Sequence, residues 1–332
     1  MSNINKEKDI LNTEKIDLVY SWVDSSDIEW QKKKQNYEQN YDLSTGANDK
    51  SRFVDNDELK YSLRSVEKYM PWINHIYIIT DNQKPEWLNL DNPKISVVDH
   101  KEIIPNEYLP TYSSRVIEHC MVNIPNLSEK FLYANDDMFV SSSVSPEFFF
   151  TKGDKLVYRV NHGVTQPNRN LHTDSLINAE KLIFNKYGKL YNHFPHHNID
   201  PYKKSEIKAC YEEFKDEIDK TISHRFRTSD DVSRFIYHYY ACAKNKGRYK
   251  IIHKVDKDLP FFKYVYFILL KKYQKDSIFI RLSNIDEAKN MLNKFNPKLF
   301  CINDNEESGN SERLKLKNLL EEIFPNKSSF EK

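Results

Sequence analysis

Residues Lys130-Phe-Leu-Tyr-Ala-Asn-Asp-Asp-Met-Phe-Val140 form an apolar run broken by two adjacent carboxylates. Phe131 to Ala134 reads as a short strand that ends at Asp136 and Asp137, after which apolar sequence resumes. Ionised Asp is rarely buried without a partner. Such a pair inside a core-like run asks for a cation, a hydrogen-bond network or a catalytic task. Paired carboxylates of this kind hold a divalent metal against phosphate oxygens in enzymes that act on nucleotides. The competing reading is a surface turn, with Asn135 and Asp136 as ordinary turn formers.

Upstream the same pattern recurs. Ile16 to Val23 is β-branched and aromatic and ends at Asp24. His75 to Thr80 ends at Asp81, and Ile95 to Val98 ends at Asp99. Between these strands, Leu59, Leu63, Val66 and Met70 recur at spacings of three and four, predicting a helix that Asp57 caps and Pro71 stops. Arg115 to Val122 is a second helix, carrying Glu118. Strand–helix alternation predicts an α/β fold with a mostly parallel central sheet and flanking helices. Ligands in such sheets bind at the carboxyl ends of the strands. Four strands ending in Asp would therefore converge on one crevice. The alternative is that each Asp merely caps the next loop or helix.

The second half is more helical. Leu171 to Tyr187, Ser205 to Ile222, and a segment capped by Ser229 or Asp230 through Ala243 read as helices, and Thr151 to Gln166 suggests strands. Residues 1–14 form a polar lead, 15–309 a single catalytic unit (15–150 its core, 151–309 completing the site), and 310–332 a charged, solvated tail.

Lys plus Arg total 50 and Asp plus Glu 49 among 332 residues, so the net charge of +1 gives no support for nucleic-acid binding. Only 6 glycines are present and no Gly-rich phosphate loop. Cys120, Cys210, Cys242 and Cys301 form no CxxC pair, which argues against structural zinc and suits a reducing compartment. The first residues lack the apolar core of a signal peptide. The expectation is a cytoplasmic protein. Phe261 to Leu270, followed by Lys271, Lys272 and Lys275, offers a peripheral contact with the inner face of the plasma membrane, or else a buried helix.

Other candidates for chemistry lie downstream. His193, His196 and His197 flank Pro195, and a single histidine there suits a general base or a phosphate donor better than zinc ligation. Arg225 and Arg227, two apart on an extended segment, suit phosphate oxygens, as do Arg52 and Arg64; surface ion pairs are the alternative for each. Leu299-Phe-Cys-Ile302 ends in Asn303-Asp304-Asn305, echoing Asn135-Asp136-Asp137. These acids, arginines and a histidine, without a phosphate loop, fit transfer from a diphosphate-linked donor with a divalent cation.

Ile16-Asp-Leu-Val-Tyr-Ser-Trp-Val-Asp24, Asp57 to Tyr69 with Pro71-Trp72, His75 to Asp81 and Lys130 to Phe139 resemble the first two conserved blocks of the Stealth family of sugar-1-phosphate transferases. His193-Phe-Pro-His196 through Asp231 resembles the third block and Cys301 to Asn305 the fourth. The resemblance implies a nucleotide-sugar transferase-like fold and transfer of a hexose- or N-acetylhexosamine-1-phosphate from a UDP-sugar to a sugar hydroxyl, with UMP released. The acceptor would be an oligosaccharide or lipid-linked glycan. It places catalytic positions on Glu118, Asp137, His193 and Arg227, with Asp136 and Asp137 holding Mg²⁺ or Mn²⁺. Trp22, Asp24, Arg52, Asp57, Arg64, Asp81, His196, Arg225, Asn303 and Asp304 would line the substrates. Ser25 and Ser26 stand where the family commonly has Gly, and an extra residue in the third block leaves His193 and His196 both open. The rival functions are a metal-dependent glycosyltransferase releasing UDP and a non-catalytic carbohydrate- or nucleotide-binding protein.

Overall fold

The computed structural model describes residues 14–38, 53–162, 169–191, 193–252 and 275–332. Arg52, the Ser44–Asn48 region and the Phe261–Lys272 segment lie outside them. The described strands are β1 (Ile16–Ser21), β2 (Ile76–Thr80), β3 (Ile95–Asp99), β4 (Lys130–Asn135), β5 (Met138–Val140), β6 (Leu156–His162), β7 (His193–Pro195), β8 (Asp200–Lys203), β9 (Gly247–Ile252), β10 (Ser277–Arg281) and β11 (Leu299–Asn303). The helices are α1 (Ile28–Glu38), α2 (Glu58–Tyr69), α3 (His100–Ile103), α4 (Ser114–Cys120), α5 (Leu171–Tyr187), α6 (Lys204–Glu213), α7 (Lys215–Ile222), α8 (Ile236–Ala243), α9 (Ile285–Phe295) and α10 (Asn310–Ile323).

The main sheet runs β3-β2-β1-β4-β8, with the first four strands parallel and β8 antiparallel at the edge. Period-two alternation feeds a core on each face. Val19, Tyr77, Ile79, Phe131 and Tyr133 enter one core, beneath residues of α4 to α8. Leu18, Tyr20, Ile76, Ile78, Leu132 and Ala134 enter the other, against Leu59, Leu63 and Val66 of α2. The expected α/β architecture is thus present, and the carboxyl ends of β1 to β4 share one edge.

Two smaller sheets complete the scaffold. In one, β10 pairs parallel with β11, and β11 pairs antiparallel with β5, setting Cys301 opposite Met138. In the other, β6 lies between antiparallel β7 and parallel β9.

Three expectations need correction. Ser205 to Ile222 is two helices, α6 and α7, broken where Phe214 leaves helical geometry to bury its ring. The helix that ends at Ala243 begins at Ile236, not at Ser229 or Asp230, because Asp231 spends its carboxylate on Thr228, Arg115 and His224. The 310–332 segment is not a fraying tail. Leu316, Leu320 and Phe324 bury against Phe139 and Phe300, each such side chain contributing about 1.5–3 kcal/mol. Arg64, expected at the substrate, anchors this segment through Glu331 at 2.8 Å, Glu321 at 3.0 Å and the Phe324 carbonyl at 2.7 Å.

Candidate active site at the strand ends

The Asp136–Asp137 step is a turn and a candidate site at once. β4 brings the chain up through the main sheet, and two residues later β5 carries it into the small sheet. This switch sets two carboxylates at the strand ends and brings β11 beside them. Ile302 donates its backbone N–H to the Asp137 carbonyl at 3.2 Å. Asn303 Nδ2 and Cys301 Sγ lie 2.8 and 3.3 Å from Asp137 Oδ2. The two distant apolar runs that end in Asn-Asp do meet.

The histidine beside Asp137 is His197, which sequence reasoning left out of the site. Its Nε2 lies 3.8 Å from Asp137 Oδ1 and 3.5 Å from Asn135 Nδ2. The cause is topological. β7 belongs to the third sheet and β8 to the edge of the main sheet, with Asp200 opposite Tyr133. The 196–199 connection must therefore pass the end of β4. His193 sits on β7 with its ring against Tyr249 at 5.5 Å, and its carbonyl accepts from Tyr239. His196 is buried, held by Asn161 Oδ1 at 3.2 Å. The closing His196-His197-Asn198-Ile199-Asp200 run, just before the strand, is the signal that would have marked His197.

Carboxylates crowd the opposite wall. Glu58 is buried in the first turn of α2 and accepts from Asn56 N at 2.6 Å and Asn56 Nδ2 at 2.8 Å. The same Nδ2 reaches Asp304 Oδ2 at 3.4 Å, which ties the fourth block to this wall. Burial pushes Glu58 up to about 8, with Asp55 adding to the effect. Burial and then the Asp57 charge push Asp55 up to about 6, partly offset by the Asp57 backbone N–H, which donates to it at 3.1 Å. Asp136 is driven well above the ordinary carboxylate value by burial and by Glu58, Asp137 and Asp55. Burial would raise Asp137 too, but His197, Asn303 and Cys301 hold it below its usual value. The Cys301 thiol is pushed far up by burial and by Asp137, so it remains an S–H donor. Neither Asp55 nor Glu58 was among the predicted residues. The unbroken polar run Asp55-Asn-Asp-Glu58 ahead of an apolar-faced helix was their available signal.

A third wall carries the other two expected positions. Glu118 on α4 faces Arg234 Nε at 3.6 Å, and Arg234 also pairs with Asp200 at 2.8 Å. Burial first, and then the charges of Glu118 and Asp136, raise the Tyr133 phenol. Arg227 Nη2 donates to Ser114 Oγ at 2.7 Å, one helical turn from Glu118 on the same face of α4.

The remaining candidates stand further out. Asp24 accepts from Ser26 N and Oγ, both at 2.8 Å. Asp81 takes Lys33 at 2.6 Å. Asp99 caps α3 through Lys101 N at 3.0 Å, as the capping alternative expected. Asp57, at the N-terminus of α2, makes no capping bond and pairs with Lys60 at 3.1 Å and Lys317 at 3.3 Å. Arg225 donates to the Pro110 carbonyl and lies over Tyr37.

Conserved region 1 of the Stealth proteins matches residues 14–42, conserved region 2 residues 52–157 and conserved region 3 residues 196–243. The chain belongs to the Stealth family. It is 34% identical over 327 residues to the capsular polysaccharide phosphotransferase fcs1 of Haemophilus influenzae, covering 93% of this chain and 84% of that protein. It is 40% identical over 240 residues to the capsular polysaccharide phosphotransferase cps1A of Actinobacillus pleuropneumoniae, covering 68% of this chain and 65% of that one. A capsular polysaccharide phosphotransferase of Actinobacillus suis is 35% identical over 318 residues. Among solved structures, the galactosyltransferase LgtC with donor and acceptor sugar analogues aligns at a TM-score of 0.44 and 10% identity, over 95% of this chain and 97% of that one. No described helix is long and apolar enough to cross a membrane.

Proposed function

We propose that this Stealth protein is a capsular-type sugar-phosphate transferase, moving a sugar-1-phosphate from a UDP-sugar to a glycan hydroxyl. The observation that carries this reading is Asp137. Its Oδ1 is buried, makes no hydrogen bond among the described residues, and sits 3.8 Å from His197 in a wall of carboxylates. An orphaned carboxylate oxygen amid like charges fits a hard divalent cation such as Mg²⁺ or Mn²⁺. Asp137, His197 and Cys301 each offer a ligand atom within 4.8 Å of the others, but the thiol stays protonated, so Asp137, with Asp136 beside it in the chain, is the ligand we assign to a hard cation. Bound there, the cation would neutralise the diphosphate oxygens of the donor.

The chain's own groups divide the rest of the work. The acceptor hydroxyl oxygen attacks the sugar-linked phosphorus. The bond from that phosphorus to the oxygen bridging it to the nucleoside phosphate breaks, and UMP leaves. His197 takes the hydroxyl proton, and Asp137, with Oδ1 3.8 Å from Nε2, stabilises the imidazolium that forms. Arg227 meets phosphate charge from the side of α4, and the Arg234–Glu118 pair holds that wall rigid. His193, expected from the resemblance as the functional histidine, becomes a support for the 196–199 connection.

Identifying the nucleotide released tests the reading. Incubation with UDP-N-acetylglucosamine, Mg²⁺ and an oligosaccharide is expected to give UMP. UDP as the product would overturn phosphotransfer in favour of glycosyl transfer, and donor binding without turnover across many acceptors would favour the non-catalytic alternative.

A further inference from the structure

Residues 181–190 and 244–250 carry seven Lys or Arg side chains and no Asp or Glu, in a chain whose 50 cations and 49 acids otherwise balance. The two stretches meet in space. Lys189 donates to the Ala243 carbonyl at 2.7 Å, Lys244 lies over the Tyr187 ring at 4.9 Å, and the Tyr191 and Tyr249 ring centres are 5.2 Å apart. Two large apolar side chains stand in the same place. Phe184 and Leu190 keep 48% and 55% of their surface exposed. Glu180 and Phe184 share a face of α5, one turn apart. Tyr191 N donates to Glu180 Oε1 at 3.1 Å, so the chain leaving the left-handed Gly188 folds back along that face and brings Leu190 with it.

Cations beside helix C-termini ordinarily answer the helix dipole, and α5 and α8 both end here. That accounts for part of the cluster. Lys189 meets the last carbonyl of α8, Lys186 and Lys244 share Glu213 at 3.1 and 3.0 Å, and Lys250 pairs with Asp276 at 2.6 Å. It does not account for Lys181, Lys246 and Arg248, which are exposed and pair with no carboxylate among the described residues. Nor does it explain two large apolar side chains left in water. The platform beneath them is firmly built. Asn245 turns the chain at a φ of 60°, Lys155 donates to its side chain at 2.7 Å, and a Cβ on Gly247 would meet the Tyr158 ring at 2.7 Å.

We infer that this face docks on an anionic lipid bilayer, with Phe184 and Leu190 entering the headgroup region and Lys181, Lys246 and Arg248 meeting lipid phosphates. A soluble polyanion would answer the cations and leave both apolar side chains in water, whereas a lipid interface answers both. The inference does not depend on the transfer reading. Its place in the fold suits that reading nonetheless. α5 spans 17 residues, about 25 Å, and its first residue, Leu171, accepts from Arg115 beside Thr228, so the docking face and the Arg227 wall lie at opposite ends of one helix.

The test is co-sedimentation of the full chain with lipid vesicles at low salt. It compares wild type with a triple charge reversal, Lys181→Glu with Lys246→Glu and Arg248→Glu, and with Phe184→Ser plus Leu190→Ser. Wild type is expected to bind vesicles of phosphatidylcholine mixed equally with phosphatidylglycerol, to ignore phosphatidylcholine alone, and to be released by added salt. Both variants are expected to partition about tenfold less or weaker still, while melting like wild type and releasing UMP from a soluble acceptor within about twofold of it. Wild type that stays in solution, or equal binding by all three proteins, would overturn the docking face. Loss in the charge reversal alone, with the Phe184 and Leu190 variant still bound like wild type, would assign the face to a polyanion and overturn the lipid reading. Vesicle binding as expected in a protein that never releases UMP would remove the transfer reading and leave the docking face standing.

Discussion

Two clusters of buried acid lie on opposite sides of this crevice, and they are resolved differently. Behind α4, Asp231 is fully buried and satisfied: Arg115 pairs with one oxygen and His224 with the other at 2.7 Å, while Thr228 N donates at 3.0 Å. Burial would raise this carboxyl, yet His224 and Arg115 hold it below the ordinary value. At the strand ends, Asp55, Glu58 and Asp136 are all pushed up, and no arginine or lysine in the described residues is paired with them. Acid matched by its own cation is scaffold. Acid crowded against acid stores an unmet demand for positive charge, which a divalent ion and a diphosphate together can answer.

Breaking the matched cluster should cost the most, and cost it in stability. Asp231→Asn leaves the Arg115 guanidinium buried without its counter-charge, a loss of about 3–5 kcal/mol. Chemical denaturation checks it; a change under about 1 kcal/mol would show that the cluster is not the anchor its hydrogen bonds suggest. The opposite behaviour is expected of the unmatched cluster. Asp137→Asn should lower UMP release by ~10²–10³-fold, about 2.7–4 kcal/mol of barrier. Its melting temperature should fall less than that of Asp231→Asn, since the amide oxygen still accepts from Asn303 and Cys301 and a like charge beside Asp136 is gone. An unfolded Asp137→Asn would erase the distinction between the two clusters.

Next in size is the histidine. His197→Gln should slow turnover by about 10²-fold. His193→Ala, packed against Tyr249 rather than Asp137, should lose less. The reverse order would return the proton-transfer role to His193.

The same comparison explains what could be read in advance. The main sheet was legible because β1, β2 and β4 are continuous apolar runs with sharp Asp ends, and Asp136 and Asp137 stood out as charge inside core sequence. Glu118 and Arg227 were visible as a helix carboxylate and a phosphate-suited arginine, but only the family resemblance gave them catalytic roles, since a surface ion pair was the alternative for the arginine. His197 and Glu58 were missed for a physical reason. His197 becomes a site residue only because β7 and β8 belong to different sheets, and Glu58 only because α2 packs against Ser62-facing Tyr20 and the Met138 carbonyl. Neither contact leaves a local periodicity. Arg64 shows the converse: a cation read as a phosphate ligand or solvated helix residue is buried by a C-terminal segment that looked too charged to fold.

The smallest expected effect concerns the buried histidine rather than the reacting one. Burial lowers His196 to about 3, from an ordinary value of 6.5. The folded state therefore keeps this ring neutral while the unfolded chain protonates it. Its contribution is fully present above pH 6.5 and is lost progressively as pH falls from 6.5 toward 3, at about 1.4 kcal/mol per pH unit well inside that window. Asp231, with a depressed carboxyl, begins to add its own loss only near and below its unfolded value of 3.8. As pH falls from 6.5 to 4.5, wild type should thus lose stability relative to His196→Gln, whereas Asp231→Asn should keep the wild-type slope there. A His196→Gln curve parallel to wild type would mean that the ring is hydrated in the folded protein rather than dry, as its burial implies.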